Sequence, residues 1–345
     1  MAGKQPADLA VDLGSSFTRI ALRGRGVVVE EPTVVATQVG ARGREVVAVG
    51  TEAREMIGRT PAGITVVRPV RNGVVADFEA TEQLLRQLIQ RALPRTLLKP
   101  RVLVCVPCGT TEVQRRAVQD SARAAGAREV FLVATPMAAA IGADLPVDKP
   151  VGSLIVDTGG GRTEVGVVCL GGLVVWRSAA VGGDAMDDAI ANWARLKHNL
   201  QIGERTAEAV KQRVGAACFE DPQEITRGRP QQMRVRGRDL GQGAPREIDI
   251  RSNDIAEAVA GPVATVRRLV LETLEQTPPE LSADIVERGL FLCGGGSALR
   301  GLDTLLRADT GLPVLQADEP ARCVARGAVA LLGDAALFER VVGVV

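Results

Sequence analysis

The chain has 345 residues, which fits about two domains or the two halves of one bilobed unit. Hydrophobic residues make up 46% of the sequence and charged residues 24%, a balance that excludes a disordered or fibrous protein. The 42 Lys and Arg residues nearly cancel the 41 Asp and Glu residues, which disfavours a nucleic-acid partner, and the single histidine, His198, excludes a multi-histidine metal site.

The first predicted element is a β-hairpin around Asp12. Apolar residues precede Asp12, residues 14–17 (Gly-Ser-Ser-Phe) form a tight turn, and a second strand follows through residues 20–22. Backbone N–H groups at such a turn can hold phosphate oxygens, and a carboxylate at the strand end can hold a hydrated divalent cation in the same space. A single turn of this kind is a weak indication of phosphate binding, because most glycine turns are only structural.

A pair of cysteines ends the next apolar strand, residues 101–107, which is followed by a helix from about Thr110 to Ala125. Cys105 and Cys108 have the spacing of a redox pair or of half a zinc site. The sequence contains no second close pair, and the motif ends a strand instead of opening a helix after one. We therefore interpret the cysteines as reduced thiols of the core, with a redox protein that uses Cys105 and Cys108 as the alternative.

Further strands and helices alternate along the chain. Residues 129–133 form an apolar strand, and Pro136 suits the first turn of a helix over residues 137–142. In the second half, residues 254–276 are typical of a helix that is interrupted near residues 261–262. This order of elements predicts an α/β fold with a parallel central sheet.

The hairpin around Asp12 has a second copy later in the chain. Residues 156–167 align without gaps with residues 11–22 and share Val, Asp, Gly and Thr at equal positions, so that Asp157 corresponds to Asp12. Two copies imply two related lobes. Because the aspartate is retained in both copies, the repeat favours phosphate binding over a purely structural turn.

A third glycine turn, residues 294–297 (Gly-Gly-Gly-Ser), follows a strand over residues 289–293. A helix is predicted over residues 298–306, and its N-terminus would lie beside a ligand held at the turn. The sequence contains neither a Walker A motif nor a full G-x-G-x-x-G, which argues against P-loop and Rossmann dinucleotide sites.

The paired Asp-Leu-Gly and Asp-Thr-Gly-Gly-Gly turns and the Gly-Gly-Gly-Ser turn resemble those of the actin, DnaK-type chaperone and sugar-kinase superfamily. Within it, the chain is similar to the MreB/Mbl family of bacterial actin-like proteins that direct rod shape, over about residues 8–333. The stretches that carry this resemblance are residues 58–61, 74–78, 101–107, 126–132, 136–142 and 278–281.

The resemblance implies an α/β fold of the duplicated actin-like, ribonuclease H-like type, with a nucleotide cleft between two lobes. Lobe I would span residues 1–145, with a small subdomain inserted at about residues 32–69. Lobe II would span residues 146–345, with a second insertion at about residues 181–250 and a last helix that returns toward lobe I.

Carried over position by position, the resemblance implies a site for ATP and Mg²⁺. Asp12 and Asp157 would face the Mg²⁺ through water, and Glu208 and Lys211 would reach adenosine and the ribose hydroxyls. Without the resemblance, Glu208 and Lys211 lie one helical turn apart and are more typical of a surface ion pair. The remaining nucleotide-binding residues would be Gly14, Ser15, Ser16, Phe17, Gly159, Gly160, Gly161, Gly182, Gly183, Gly294, Gly295, Gly296 and Ser297.

Three positions depart from the family pattern. Thr135 stands where relatives carry a glutamate that orients or activates the attacking water, and a hydroxyl cannot accept a proton at neutral pH. Losing this carboxylate predicts hydrolysis slower by about 10²–10⁴-fold, or absent, and we assign no catalytic residue. Phe17 replaces an asparagine of the relatives. Arg162 replaces a threonine, and it either pairs with phosphate charge or points to solvent.

The sequence predicts a cytoplasmic protein that does not span the membrane, and the resemblance implies that it is peripheral to the inner face of the cell membrane. The N-terminus has no apolar signal segment, and the longest uncharged run, residues 130–143, is shorter than the ~20 apolar residues of a spanning helix. Leu97 and Leu98 lie in a short loop between Arg95 and Lys99 and are expected to contact the membrane interface, as the family's membrane loop does. The alternative is that both leucines fold back onto the core.

The function implied by the resemblance is that of a bacterial actin-like cytoskeletal protein. It would bind ATP, polymerise into membrane-associated filaments and help determine cell shape by organising cell-wall synthesis, with impaired hydrolysis. Its expected partners are further copies of itself, an active MreB paralogue, the membrane surface and cell-wall morphogenesis proteins. A small-molecule kinase of the same superfamily is the alternative, although the cleft motifs offer no convincing acidic residue as its base.

Overall fold

The computed structural model describes residues 8–40, 43–93, 99–219 and 232–342. Within these ranges the strands are β1 (Asp8–Leu13), β2 (Phe17–Leu22), β3 (Gly26–Pro32), β4 (Val35–Gly40), β5 (Gly43–Val49), β6 (Ile64–Val67), β7 (Val70–Arg71), β8 (Val74–Val75), β9 (Arg101–Val106), β10 (Glu129–Ala134), β11 (Ser153–Thr158), β12 (Thr163–Cys169), β13 (Gly172–Ala179), β14 (Leu200–Gln201), β15 (Gln232–Asp239), β16 (Pro245–Arg251), β17 (Leu290–Cys293) and β18 (Val314–Gln316).

The α-helices of the same ranges are α1 (Thr51–Glu55), α2 (Phe78–Ala92), α3 (Glu112–Ala124), α4 (Thr135–Gly142), α5 (Gly183–His198), α6 (Glu204–Val214), α7 (Ser252–Ala258), α8 (Ala260–Glu275), α9 (Pro279–Arg288), α10 (Leu302–Thr310), α11 (Cys323–Leu331) and α12 (Ala335–Val341). Short 3₁₀ turns cover Gly295–Ala298 and Pro320–Arg322. The alternation of strands and helices confirms the predicted α/β class.

The first large sheet has the strand order β10-β9-β1-β2-β3. Its central strand β1 pairs antiparallel with β2 and parallel with β9. The β1–β2 connection is a tight glycine turn, whereas the parallel step from β9 to β10 needs a crossover and runs through α3. Both β1 and β9 lie inside the sheet, which explains their nearly continuous apolar sequence.

The second large sheet repeats this arrangement in the order β13-β12-β11-β17-β18. Strand β11 pairs antiparallel with β12 and parallel with β17, as β1 does with its neighbours. The registers also correspond, since Asp12 lies opposite Arg19 and Asp157 lies opposite Glu164. The sequence repeat is therefore a structural repeat. We keep the names lobe I and lobe II for the parts of the molecule that carry the first and the second large sheet.

Helices α4 and α11 join the two lobes. Helix α4 packs against β11 and β12 of lobe II, and α11 packs against β1 and β2 of lobe I. Two glycines let the helix backbones meet, because a Cβ at Gly142 would collide with the carbonyl oxygen of Cys323 and one at Gly327 with that of Ala138. Small residues at this crossing bring the lobes close enough to share one buried core.

Besides a two-stranded sheet of β7 and β8, two three-stranded sheets are separate from the large ones within the described residues. Their strand orders are β5-β4-β6 and β14-β15-β16. The first lies inside the predicted insertion at about residues 32–69, and the second reaches one residue beyond that at about residues 181–250; the insertions and the lobe boundaries stay predictions. At the end of the chain, α12 lies against lobe I, where the ring of Phe338 meets the ring of Phe131 edge-on at 5.2 Å between centroids.

Two helices begin or break at other residues than predicted. The helix expected over residues 298–306 begins at Leu302, because the chain first forms a 3₁₀ turn and then needs Gly301 at a φ of 78°. The break expected near residues 261–262 lies at Val259, between α7 and α8. Pro262 fits the first turn of α8, where its missing N–H would have no partner within the helix.

A candidate nucleotide cleft between the two lobes

The two glycine hairpins face each other across a cavity of about 260 Å³. It lies at the carboxyl ends of β1 and β11, the edge at which α/β sheets usually bind ligands. Of the predicted nucleotide-binding residues, the lining contains Asp12, Gly14, Ser15, Ser16, Phe17, Asp157, Gly159, Gly160, Gly161, Gly183, Glu208, Lys211, Gly294, Gly295 and Gly296. The structure therefore brings residues from five separate segments to one space.

Two predicted residues, Gly182 and Ser297, lie behind the lining instead. A Cβ at Gly182 would lie 2.5 Å from the carbonyl oxygen of Gly159, so this glycine allows the second hairpin turn to pack closely. The hydroxyl of Ser297 donates a hydrogen bond to the carbonyl oxygen of Gly294 at 2.7 Å. Both residues shape the glycine turns from outside the cavity.

The two hairpin turns are built in the same way. The N–H of Gly14 donates to the carbonyl oxygen of Phe17 at 3.1 Å, and the N–H of Gly159 donates to that of Arg162 at 2.8 Å. The turns also approach each other, since a Cβ at Gly161 would lie 2.5 Å from a serine hydroxyl of the first turn. This close approach requires glycine in the second turn.

Asp12 and Asp157 lie near the carboxyl ends of β1 and β11 and line the cavity. Burial raises the pKa of Asp12, and burial together with the negative charge of Asp12 raises the pKa of Asp157 to about 7. Carboxylate oxygens are the ligands that Mg²⁺ prefers, so the pair fits a divalent cation. Within the described residues no group of three or more His, Cys, Asp or Glu side chains is arranged to hold a metal, so water or phosphate would supply the other ligands.

Thr135 lines the cavity as the first residue of α4, where the family resemblance leads us to expect a glutamate. The two acids nearest in sequence do not take its place. Asp144 lies beyond the far end of α4, where its side chain is 89% exposed and 3.7 Å from Arg326. Glu129 begins β10 at the opposite end and lies 3.5 Å from Arg101.

Glu164 is a cavity residue to which the sequence analysis gave no role. Its Oε1 accepts the N–H of Cys108 at 2.7 Å and the hydroxyl of Ser178 at 3.3 Å. Burial raises the pKa of Glu164 to about 8, so the side chain is mostly protonated at neutral pH. A signal was available, because antiparallel pairing places Glu164 opposite Asp157 and hence on the same face of the sheet.

Helix α6 brings Glu208 and Lys211 to the cavity wall. Among the described contacts they do not pair with each other. Glu208 accepts a hydrogen bond from Arg54 of lobe I, whereas the Nζ of Lys211 donates to the carbonyl oxygen of Gly183 at 2.8 Å and to Asp187 Oδ2 at 2.7 Å. The simple surface ion pair is thus not formed, and contact with adenosine stays a prediction.

Phe17 and Arg162, the unusual residues of the hairpin turns, both line the cavity and both contact protein groups. The Phe17 ring centroid lies 5.4 Å from the guanidinium carbon of Arg19 and 5.7 Å from that of Arg54. Arg162 donates from Nη1 to the hydroxyl of Ser178 at 2.8 Å and from Nε to the main chain of lobe I. Arg162 is therefore not simply directed to solvent, and a phosphate contact stays a prediction.

The two cysteines at the end of β9 are free and buried. Burial raises the pKa of the Cys105 thiol well above its ordinary value, and burial also raises the pKa of Cys108. A thiol reacts as its thiolate, so these side chains are poorly suited to redox chemistry. The geometry favours core thiols over the redox alternative.

The predicted membrane loop, Leu97 and Leu98, lies outside the described residues. Membrane contact at this loop therefore stays a prediction. Within the ranges that the structure does describe, we find no helix with the length and apolar character needed to cross a bilayer.

Comparison with known proteins gives matches along nearly the whole chain. The family model of the MreB/Mbl protein matches residues 6–340. The cell shape-determining protein MreB of Escherichia coli (strain K12) is 48% identical over 324 residues, which are 93% of this chain and 91% of that protein. The cell shape-determining protein Mbl of Bacillus subtilis (strain 168) is 41% identical over 328 residues, 95% of this chain and 96% of that protein.

Solved structures agree with these sequence matches. The crystal structure of MreB5 of Spiroplasma citri bound to AMPPNP superposes with a TM-score of 0.88 and 32% identity, covering 97% of this chain and 98% of that one. The structure of the same protein bound to ADP gives a TM-score of 0.86 at 33% identity, covering 94% of this chain and 95% of that one. The predicted actin-like fold is confirmed.

Proposed function

Since this chain belongs to the MreB/Mbl family, we propose that it is a bacterial actin-like cytoskeletal subunit that binds ATP and polymerises into filaments. The filaments lie at the inner face of the cell membrane and help determine cell shape by organising cell-wall synthesis. The relatives named above are cell shape-determining proteins, which supports this role.

One observation carries the nucleotide part of the proposal. Two equivalent glycine turns, each with an aspartate at the end of the preceding strand, face each other across one cavity. Backbone N–H groups at such turns are suited to phosphate oxygens. Spiroplasma citri MreB5 was solved with AMPPNP and with ADP, which supports an adenine nucleotide as the ligand.

Asp12 and Asp157 would hold Mg²⁺ next to the phosphates through water. When bound, the ion supplies positive charge that offsets the charge of the phosphate oxygens. The two carboxylates lie on opposite lobes, so a ligand that contacts both would favour the closed arrangement of the cleft.

We propose further that hydrolysis of ATP is slow or lost. Thr135 offers a hydroxyl where a general base would be needed, and the loss of such a base costs about 10²–10⁴-fold in rate. Glu164 is a poor substitute, because burial raises its pKa to about 8, so that it is mostly protonated at neutral pH, and its Oε1 is held by the N–H of Cys108 and the hydroxyl of Ser178. The same shortage of a free base weakens the alternative of a small-molecule kinase.

Phosphate release and ATP affinity, measured for the wild type and for Thr135→Glu, test this proposal. We expect similar ATP affinity in the two proteins and release that is at least about tenfold faster in the glutamate variant. Thr135→Gln is the matched control, since it has the same length without a carboxylate and should stay slow. Equal rates in wild type and Thr135→Glu would show that hydrolysis is not impaired, and a wild type that binds no ATP would refute the nucleotide site.

Assembly and membrane contact need separate measurements. Sedimentation of the wild type with and without ATP tests polymerisation, alone and mixed with an active MreB paralogue, which we propose as a filament partner. Flotation with anionic vesicles tests the proposed membrane contact through Leu97 and Leu98. The double variant Leu97→Ser and Leu98→Ser should abolish this contact. Vesicle binding that is unchanged in this double variant would place the contact elsewhere.

A further inference from the structure

A row of alternating charges crosses the first large sheet, starting at the cavity floor. Asp12 on β1 lies opposite Arg19 on β2, which in turn lies opposite Glu30 on β3. Residues directly opposite each other in neighbouring strands share one face of the sheet, so the three side chains meet. The Nη1 of Arg19 lies 3.4 Å from Asp12 Oδ2, and its Nε lies 2.9 Å from Glu30 Oε1.

The row continues beyond the sheet edge. Arg322 places Nε and Nη2 each 2.8 Å from Glu30 Oε2, and its Nη1 lies 2.9 Å from Glu319 Oε1. The carboxylate of Glu30 is thus shared by two arginines. Because Arg322 contributes positive charge to Glu30 while also pairing with Glu319, part of the charge of Arg19 is left for Asp12.

The guanidinium of Arg19 is held firmly beside the cavity that it lines. Its side chain is only 11% exposed, and its guanidinium carbon lies 5.4 Å from the centroid of the Phe17 ring. A guanidinium keeps its proton at every physiological pH and carries five N–H donors. The contacts with Asp12 and Glu30 occupy Nη1 and Nε, so donors on Nη2 remain for a further acceptor.

The second lobe has the opposite charge at the equivalent position. Arg19 follows Asp12 by the same number of residues as Glu164 follows Asp157. Within each hairpin, the two residues of the pair lie opposite each other. On the cavity side, lobe I therefore places an acidic residue opposite an arginine, whereas lobe II places two acidic residues opposite each other. Of the two strand-end aspartates, Asp12 is the one that forms an ion pair with an arginine among the described contacts.

We propose that Arg19 takes over part of the role of the divalent cation: it neutralises Asp12 and presents positive charge to the nucleotide phosphates. Nucleotide binding then depends only weakly on Mg²⁺. The physical reason is that positive charge at this place offsets repulsion between carboxylate and phosphate, and a guanidinium in contact with Asp12 supplies part of that charge and can bond to phosphate oxygens. This inference rests on the proposed nucleotide site and specifies which group of the protein balances the negative charge of Asp12 and of the phosphates there.

Titration calorimetry with ATP tests the inference in two buffers, one with Mg²⁺ and one with EDTA. For the wild type we expect the Kd to rise by less than about threefold when Mg²⁺ is removed, and for Arg19→Leu by at least about tenfold, as expected once Asp12 is left without a counter-charge. Arg19→Lys, which keeps the charge and loses the fork of donors, should fall between them. Arg86→Leu is the matched control, because it removes an exposed arginine that pairs with Glu82 on α2, away from the cavity.

The outcomes test the role of Arg19 separately from the existence of the nucleotide site. If the wild type binds ATP with Mg²⁺ but loses most of its affinity in EDTA, the role of Arg19 is refuted while the nucleotide site stands. If the wild type binds ATP in neither buffer, both are refuted. Should Arg19→Leu fail to fold, as judged by circular dichroism, the wild-type comparison and Arg19→Lys still decide the question.

Discussion

Arg162 of lobe II donates a hydrogen bond from Nε to the main-chain carbonyl oxygen of Asn72 in lobe I at 2.8 Å. Its Nη1 donates to the hydroxyl of Ser178 on β13 at 2.8 Å, so one side chain of lobe II forms hydrogen bonds to both lobes. The neighbouring Gly73 leaves room for Pro107, because a Cβ at Gly73 would lie 2.6 Å from the Cγ of Pro107. Arg162 therefore links the lobes beside the cavity.

Replacing Arg162 should loosen the closed arrangement of the lobes. In Arg162→Thr both hydrogen bonds are lost, and we expect a fall in the free energy of unfolding of about 1–3 kcal/mol. Small-angle scattering without nucleotide should give a larger radius of gyration than for the wild type. Arg177→Thr is the control, since the Nη1 of Arg177 donates only to the neighbouring carbonyl oxygen of Trp176. Identical scattering curves for wild type and Arg162→Thr would argue against the link.

Glu164 should make stability fall as pH rises. Burial raises its pKa from 4.5 to about 8, so between these values the folded protein keeps a proton that the unfolded chain has lost. Its contribution is complete below about pH 4.5 and disappears as pH approaches 8, with a slope of at most about 1.4 kcal/mol per pH unit. Glutamine has no such proton and can still accept the N–H of Cys108.

Urea unfolding of wild type and Glu164→Gln from pH 5 to pH 8 measures this contribution. We expect the wild type to lose stability relative to the variant as pH rises through this range, by about 1–3 kcal/mol in total. Glu275→Gln, at the exposed end of α8, is the control and should leave the pH dependence unchanged. A constant difference between wild type and Glu164→Gln would mean that Glu164 is ionised throughout.

The hairpins and their acids could be predicted from the sequence because glycine turns and strand-end aspartates are local patterns. Asp12 and Asp157 follow apolar strands, and their turns close with the same hydrogen bond in both copies. Antiparallel register was implicit in the same pattern, since residues at equal distances from a tight turn lie opposite each other. Counting in this way from the turns would have identified Arg19 and Glu164 as neighbours of the aspartates.

Other features depend on contacts that no local pattern indicates. The link from Arg162 to Asn72 joins residues 90 positions apart, and it required knowing how the lobes meet. Helix α10 begins later than predicted because the chain first forms a 3₁₀ turn and Gly301 then adopts a positive φ. The partners of Glu208 and Lys211 likewise come from other elements, which is why the ion-pair interpretation was wrong for these residues.

Glu208 should contribute to ATP affinity more than its neighbour Glu204. Both lie on α6 and each pairs with an arginine of lobe I, Arg54 for Glu208 and Arg68 for Glu204, but only Glu208 lines the cavity. Because a carboxylate accepts ribose hydroxyl bonds more strongly than an amide, Glu208→Gln should weaken ATP binding by about 3–30-fold. Glu204→Gln loses a comparable ion pair between the lobes and is the matched control.

Titration of both variants with ATP measures their affinities and shows whether Glu208 contacts the ligand or only helps to hold the lobes together. Equal losses of affinity in Glu208→Gln and Glu204→Gln would indicate that the ion pairs act only by holding the lobes together. An unchanged affinity in both would remove Glu208 from the predicted nucleotide site.

The crossing of α4 and α11 should tolerate no side chain at Gly327. A Cβ there would collide with the carbonyl oxygen of Ala138 and lie 2.6 Å from the backbone nitrogen of Gly142, and backbone atoms cannot move aside as a flexible side chain can. We expect Gly327→Ala to lower the free energy of unfolding by about 2 kcal/mol or more, through forced separation of the helices. Gly261→Ala, in the first turn of α8 with no atom within 4 Å of its added Cβ, should be neutral or stabilising by up to about 1 kcal/mol. Urea unfolding of the two alanine variants measures both effects, and a Gly327→Ala protein as stable as Gly261→Ala would mean that the helices do not meet as closely as described.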